Sequence, residues 1–429
     1  MRPRGVAGRE APNPMQTSRG VLAICGGGNA GHALAVATSR NFVGRVVWLT
    51  GSQEKADRLR RGVFSEDGLR STGVIEATAD RMERISADPE EVISIADIVM
   101  IAVPAFAHAI VLRQIEPYLK DDALIGALPS RSGFEFEVAS IVSGIEPNGR
   151  RTVFGLQTLP WSTRVVELGK VVNFGALKAK VLMATDPAWR APSVAAQLTQ
   201  ILGTEIAPTQ NFLNMTLGNT GQVIHPGLMY GHFASWGGER YRESEIPLFY
   251  AHASDDIGAF VERLSADIVA VAAVVEARSG GSLDLSGVLD VHEWLCMSYP
   301  TQTGDMQSAA TCFRTGPIQA RKAPMVEGPR GTFEPNFQYR YLTEDVPFGL
   351  VIVRAIAELA ELGTPAIDEV LRWTQDRVGK QYLIDGRLAG ADLEGLPTPQ
   401  NYGITTLQDL IEWYSARRSA KPELQHAHS

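Results

Sequence analysis

Short unbroken runs of aliphatic residues alternate with longer amphipathic stretches through the first half of the chain. Val21–Cys25 reads VLAIC without a polar position, and residues 28–40 follow it with helical spacing. The same pairing recurs at 45–50 with 54–61, and at 98–103 with 105–116, where Pro117 offers a stop; 124–128 is a further apolar run. Strands apolar on both faces, separated by helices, are what a parallel sheet covered on each side requires. The pattern predicts a doubly wound α/β sheet of Rossmann type. Past residue 151 the strand-like runs crowd together at 152–155, 171–174 and 180–184, which predicts antiparallel edge strands completing that sheet.

From about residue 187 the apolar period lengthens to that of helices, at 195–202, 257–277, 348–361 and 366–380. An all-helical C-terminal domain is expected. Between these helices, 296–347 has no period and is rich in glycine, proline, arginine and aromatics. Long irregular segments inside compact domains tend to be functional or disordered, and the interleaved aromatics and arginines favour the functional reading. The expected division is a disordered leader over 1–19, a dinucleotide-binding domain over 20–195, a helical substrate and catalytic domain over 196–420, and a tail over 421–429 carrying His426 and His428.

Charge and composition narrow the function classes. The chain has 40 Lys and Arg against 48 Asp and Glu, a net charge of −8, and no basic block, which argues against nucleic acid as a partner. The apolar stretch 98–112 is broken by Pro104 and His108 and is too short to span a bilayer core of ~30 Å, so no membrane partner is expected. The leader has no apolar segment of the kind a signal peptide needs. Three cysteines, Cys25, Cys296 and Cys312, without CxxC spacing, suit a reducing cytoplasm rather than a disulfide framework or a cysteine zinc site. His225, His232, His252 and His292 show neither HxxxH nor HExxH spacing, so no metal is expected.

The first strand runs into GGGNAG, in which Gly26, Gly28 and Gly31 satisfy G-x-G-x-x-G with Asn29 and Ala30 between them. One glycine allows the tight turn, one lets a pyrophosphate approach the backbone, and one lets the helix pack on the sheet. The helix N-terminus then faces the phosphates. An NAD site usually ends the second strand with an acid; here the chain reads WLTGSQEK, with Ser52 and Lys55 available for a 2′-phosphate and Arg58 beyond. NADP(H) is therefore favoured, with NAD(H) as the alternative. VMIAVP, ending in Val103 and Pro104, resembles the strand that ends under the nicotinamide in many dehydrogenases.

Beyond the first domain, His225 in NTGQVIHPG offers proton exchange near neutral pH. Asp345 in RYLTEDVP could fix such an imidazole's tautomer, and Arg340 carries a planar fork for a carboxylate. Each residue alone would more ordinarily be a core histidine, a loop acid or a surface ion-pair partner.

Three separated motifs change that weighting: GGGNAGH at 26–32, NxxxxxHP at 219–226, and RYLTEDVPFGL at 340–350. With Leu159-Pro160-Trp161, Pro247-Leu248-Phe249-Tyr250 and Gly363-Thr364-Pro365, they make the chain similar to the NAD(P)-dependent opine dehydrogenases of octopine/nopaline type, over about residues 20–400. The resemblance implies that His225 is the catalytic acid/base in a dyad with Asp345, and that Arg340 binds a substrate carboxylate. It places Thr158 at a keto-acid contact and Trp294 near the amino-donor pocket. Arg131 stands where animal octopine enzymes carry a glutamine, so a second cation for a dicarboxylate keto acid is an expectation here. The implied reaction condenses an α-keto acid, pyruvate or 2-oxoglutarate, with the amine of an amino acid or a larger metallophore precursor, and reduces the imine with NAD(P)H. A homodimer is a possible assembly. The competing readings are a hydroxyacid or polyol-phosphate reductase, which would rely on a lysine although Lys170, Lys178 and Lys180 fall in or beside strand patterns, and a non-catalytic NAD(P) sensor.

Overall fold

A computed structural model of the protein describes residues 20–145 and 149–418; the leader and the tail predicted from the sequence lie outside these residues. The first sheet is built from β1 (Val21–Cys25), β2 (Arg45–Leu49), β4 (Met82–Ser86), β5 (Ile98–Ile101), β6 (Leu124–Ala127), β7 (Thr152–Leu156), β10 (Lys180–Asp186) and β11 (Glu205–Pro208), with β3 (Arg70–Gly73), β8 (Trp161–Glu167) and β9 (Val171–Leu177) forming another. The first has the order β11-β10-β7-β6-β5-β1-β2-β4. All its pairs are parallel except β7 with β10. Helices α1 (Asn29–Asn41), α2 (Gln53–Val63), α3 (Pro89–Ile93), α4 (His108–Ile115), α5 (Phe134–Ile141) and α6 (Ala191–Leu202) cover its faces. Every residue of β1 is buried, which explains why its sequence shows no alternation. The order turns at β1, with β5 on one side and β2 on the other. That switch point is where doubly wound sheets bind ligands.

Two sequence expectations change. The run at 171–174 is not an edge of the main sheet: β9 pairs with β8 antiparallel and with β3 parallel in a separate three-stranded sheet. Its burial alternates, with Val172, Phe174 and Ala176 inside, so it is a strand covered on one face. The edge strand is instead β11, added parallel to β10, so the sheet continues past the point at 195–196 where the sequence reading divided the chain. The small sheet lies across the start of α1: Val165 N–H donates to Asn29 Oδ1 at 2.8 Å, and Gly169 N–H donates to His32 Nε2 at 2.9 Å. His32 is buried, donates through Nδ1 to Gly28 O at 2.8 Å, and has its pKa pushed down to about 4, chiefly by burial.

The second half consists of α7 (Leu213–Gly218), α8 (Gly221–Phe233), α9 (Asp255–Arg278), α10 (Val291–Ser298), α11 (Ala309–Thr315), α12 (Arg340–Thr343), α13 (Val351–Leu359), α14 (Pro365–Val378) and α15 (Leu407–Arg418). Two small hairpins interrupt them: β12 (Met325–Glu327) with β13 (Phe333–Pro335), and β14 (Leu383–Ile384) with β15 (Arg387–Leu388). The 24-residue α9 is the central post, starting where Ser254 Oγ accepts from Ile257 N–H. Val261, Leu264, Ile268, Val271 and Val275 recur at helical spacing and are buried against its neighbours. Each such side chain contributes roughly 1.5–3 kcal/mol on burial. Among the described residues no helix is long and apolar enough to cross a membrane.

Candidate active site

The crevice above the switch point is closed on its far side by the helical domain, leaving a cavity of about 420 Å³. Its floor is the glycine turn, and the three glycines answer to three constraints. At Gly26, φ is +124° and a Cβ would lie 2.4 Å from Ala102 O. At Gly31 a Cβ would lie 1.9 Å from Gly26 O, so only glycine lets α1 dock so closely. A Cβ on Gly28 would meet nothing within 4 Å, and Gly28, Asn29 and Ala30 border the cavity. This geometry fits a dinucleotide pyrophosphate at the N-terminus of α1. Val103 and Pro104, directly after β5, line the same cavity. Beyond the tip of β2, Ser52 caps α2 by accepting from Lys55 N–H at 3.3 Å, and the Lys55 stem lies against Gly27.

His225 comes from the middle of α8, where Pro226 lacks the amide that would bond the carbonyl four residues back. Its ring stacks on Tyr341, with centroids 3.9 Å apart and 14° between planes. Tyr341 in turn stacks on Phe249. His225 Nδ1 donates to Asp345 Oδ2 at 2.8 Å, although 120 residues separate the two. That bond leaves Nε2 as the nitrogen able to exchange a proton. Burial pulls the His225 pKa below the ordinary histidine value, Arg131 and Arg340 add to the fall, and Asp345 opposes it.

Asp345 is buried, and burial alone would raise its pKa; Arg131, His225 and Arg340 outweigh this and hold the carboxyl below the ordinary aspartate value. Arg131, after β6, places Nη1 2.5 Å from Asp345 Oδ1 and donates from Nη1 to Asn219 Oδ1 at 3.1 Å. Its Nε lies 3.4 Å from Glu344 Oε1. Gly221 makes room for the cluster, since a Cβ there would sit 2.7 Å from Arg131 Nη1. Glu344 also accepts from Ala105 N–H at 3.2 Å and pairs with Arg340 Nη2 at 3.0 Å. The 340–345 segment is thereby clamped to the ends of β5 and β6. Arg131, the second cation read from the sequence, faces the cavity with its guanidinium paired to Asp345 and Glu344. Arg340, half exposed, keeps one side toward the cavity.

Thr158 and Trp294 both line the cavity. Trp294 Nε1 donates to Gln157 Oε1 at 3.1 Å, and Gln157 Nε2 donates to Gly218 O at 2.7 Å, so the indole is held by the residue next to Thr158. The sequence reading passed over Gln157, Tyr341 and two further cations of the lining, Lys178 and Arg321. Tyr341 stands within the RYLTEDVPFGL motif, and Lys178 lies beside a strand, as its sequence pattern implies, one residue past β9. Cys312 also reaches the lining, and behind it His292, Cys296 and Cys312 bring potential ligand atoms within 4.8 Å of one another. His292 Nε2 donates there to Met306 O at 2.8 Å.

A dinucleotide turn at a topological switch point, facing a carboxylate-backed imidazole across an interdomain cleft, defines an NAD(P)-dependent oxidoreductase. The family model for the NAD/NADP octopine/nopaline dehydrogenase alpha-helical domain matches residues 208–378, and the NAD-dependent glycerol-3-phosphate dehydrogenase N-terminus matches residues 21–146. The chain is 32% identical to an opine dehydrogenase of Haliotis discus hannai over 92% of its own length and 99% of that protein's. It is 33% identical to a tauropine dehydrogenase of Arabella iricolor over 91% and 100%. A solved octopine dehydrogenase with NADH and L-arginine superposes with a TM-score of 0.77 at 29% identity, covering 91% of this chain and 97% of that one. The chain belongs to the opine dehydrogenase family.

Proposed function

We propose that the protein condenses an α-keto acid with a primary amine in this cleft and reduces the resulting imine, with His225 as acid/base, Asp345 as its partner, and Arg340 with Thr158 holding the keto acid. The observation that carries this is the 2.8 Å bond from His225 Nδ1 to Asp345, which leaves Nε2 to the cavity between the glycine turn and Arg340. Bound NAD(P)H would supply the hydride. The amine adds to the keto carbon, water leaves, and one proton and one hydride complete the secondary amine. The imidazole at Nε2 gives and takes the protons of addition and dehydration. Asp345 stabilises the imidazolium. The arginine fork turns the keto acid toward the amine, so two dilute reactants meet at high effective molarity. The walls of the interdomain cavity limit the bulk water that would compete with imine formation.

NADPH is the preferred reductant in this reading, because no acid ends β2 and the next residues are Ser52, which caps α2, and Lys55, whose side chain lies over Gly27 of the turn. The test is mass spectrometry of the product made from pyruvate or 2-oxoglutarate with a panel of amines and NADPH or NADH. The proposal expects a secondary amine dicarboxylate or its sulfonate analogue, lost in His225→Ala while cofactor binding is kept. Reduction of keto acid with no amine required would refute it. Lys55→Ala is expected to lower kcat/KM for NADPH and leave that for NADH unchanged.

A further inference from the structure

The charges around the cavity are unevenly matched. Four cations line it: Arg131, Lys178, Arg321 and Arg340. Among the described residues of the lining there is no aspartate or glutamate. Asp345 and Glu344 lie buried behind it and are already matched to Arg131, His225 and Arg340. Lys178 and Arg321 have no such match among the described residues. Lys178 is only 6% exposed, yet its ammonium makes one bond, to Leu159 O at 2.8 Å, and otherwise lies 5.8 Å over the Trp294 ring and 5.6 Å over that of Tyr299. Arg321 makes only long contacts to neutral groups, 3.5 Å to Tyr341 Oη and 3.4 Å to Ser162 Oγ. A buried ammonium without a carboxylate is costly unless an anion arrives to meet it.

We infer that Lys178 and Arg321 form the acid-binding subsite of the amine donor, and that this donor is an amino acid or aminosulfonate whose side chain is neutral or anionic. The inference rests on the opine reading above and adds the class of donor. Arg321 touches the tyrosine that stacks on His225, so an acid group held there keeps the attached amine near the imidazole. Lys178 completes the subsite on the Trp294 wall. A cationic side chain such as a guanidinium finds no acid on the lining and meets Lys178 or Arg321 instead. One like-charge contact at about 6 Å, in an effective dielectric of about 20, corresponds to roughly a hundredfold loss.

The experiment is steady-state kinetics at saturating pyruvate and reduced cofactor with alanine, taurine, glutamate, arginine and agmatine as donors. Donors with an acid group and no cation are expected to exceed arginine in kcat/KM by about a hundredfold, and agmatine, which has no acid group, to be inactive. Lys178→Met and Arg321→Gln are each expected to raise donor KM about tenfold to a hundredfold, the loss of one charged hydrogen bond, and to leave the KM of pyruvate and the Kd of the cofactor unchanged. Lys178→Arg should recover most of the loss. Arginine as the best donor overturns the inference alone, and so does a variant effect that falls on pyruvate or on cofactor affinity. The donor panel on the unsubstituted enzyme decides the question even if a variant fails to fold. If no amine is used with any keto acid, the opine reading itself falls and takes this inference with it.

Discussion

Replacing Asp345 with asparagine keeps the shape of the dyad and removes its charge. The carboxylate is buried and bonds His225 Nδ1 at 2.8 Å, so the imidazolium formed during turnover loses a counter-charge centred about 4 Å away. In an effective dielectric of about 20 that interaction is worth about 4 kcal/mol. At 1.36 kcal/mol per decade, kcat for imine formation and reduction should fall about a thousandfold. Asp345 is also the group that raises the His225 pKa, so the limb of the pH–rate profile belonging to His225 should move to lower pH in the variant. Arg131 loses a buried partner but keeps Glu344 and Asn219, so the fold should survive at reduced stability. The assay is NAD(P)H oxidation at saturating keto acid and amine from pH 5 to 9, beside cofactor binding by fluorescence and a thermal melt. A variant that binds cofactor, melts cooperatively, and retains kcat within tenfold of the parent with an unmoved profile would refute the dyad.

Other perturbations separate structural from chemical roles. Arg131→Met leaves two buried carboxylates with fewer counter-charges and should cost about 3–5 kcal/mol. Because Arg131 helps hold the Asp345 pKa down, the stability it supports is present above the ordinary aspartate pKa and lost as pH falls; urea melts should show the gap between parent and variant narrowing in acid. Glu135 is buried, accepts from Thr216 and Tyr414, and has its pKa raised from 4.5 to about 7, chiefly by desolvation. The folded state therefore holds its proton more tightly than the unfolded chain, and stability declines as pH rises from 4.5 to about 7, by roughly 3 kcal/mol. Glu135→Gln should accordingly raise Tm at pH 8 and leave it unchanged at pH 4; a pH-independent difference would contradict this. Gly31→Ala should destabilise the first domain, because its methyl would strike Gly26 O, whereas Gly28→Ala should fold normally and weaken cofactor binding, as thermal melts and cofactor titration would distinguish.

The linear order of residues determined much of this protein. The apolar runs located β1, β2, β5 and β6 because a strand buried on both faces needs apolar side chains at every position. The glycine turn was legible because the positive φ at Gly26 and the contact of Gly31 with Gly26 O are local backbone constraints. The motifs around His225, Asp345 and Arg340 were legible through resemblance. Tertiary structure decided where strands and charges go. Whether 171–174 joins the main sheet depends on its pairing with β3, a hundred residues earlier, and β11 is recruited by β10 across α6. The role of Arg131 was equally hidden. A guanidinium acts according to what surrounds it, and its partners Asn219, Glu344 and Asp345 come from loops and helices far along the chain. The same holds for Lys178 and Arg321, beside which the described residues of the lining place no acid. Local sequence sets which side chains are present and which elements carry them; charge compensation inside a cavity is a property of the assembled fold, because Coulomb interactions depend on distance in space and not on separation along the chain.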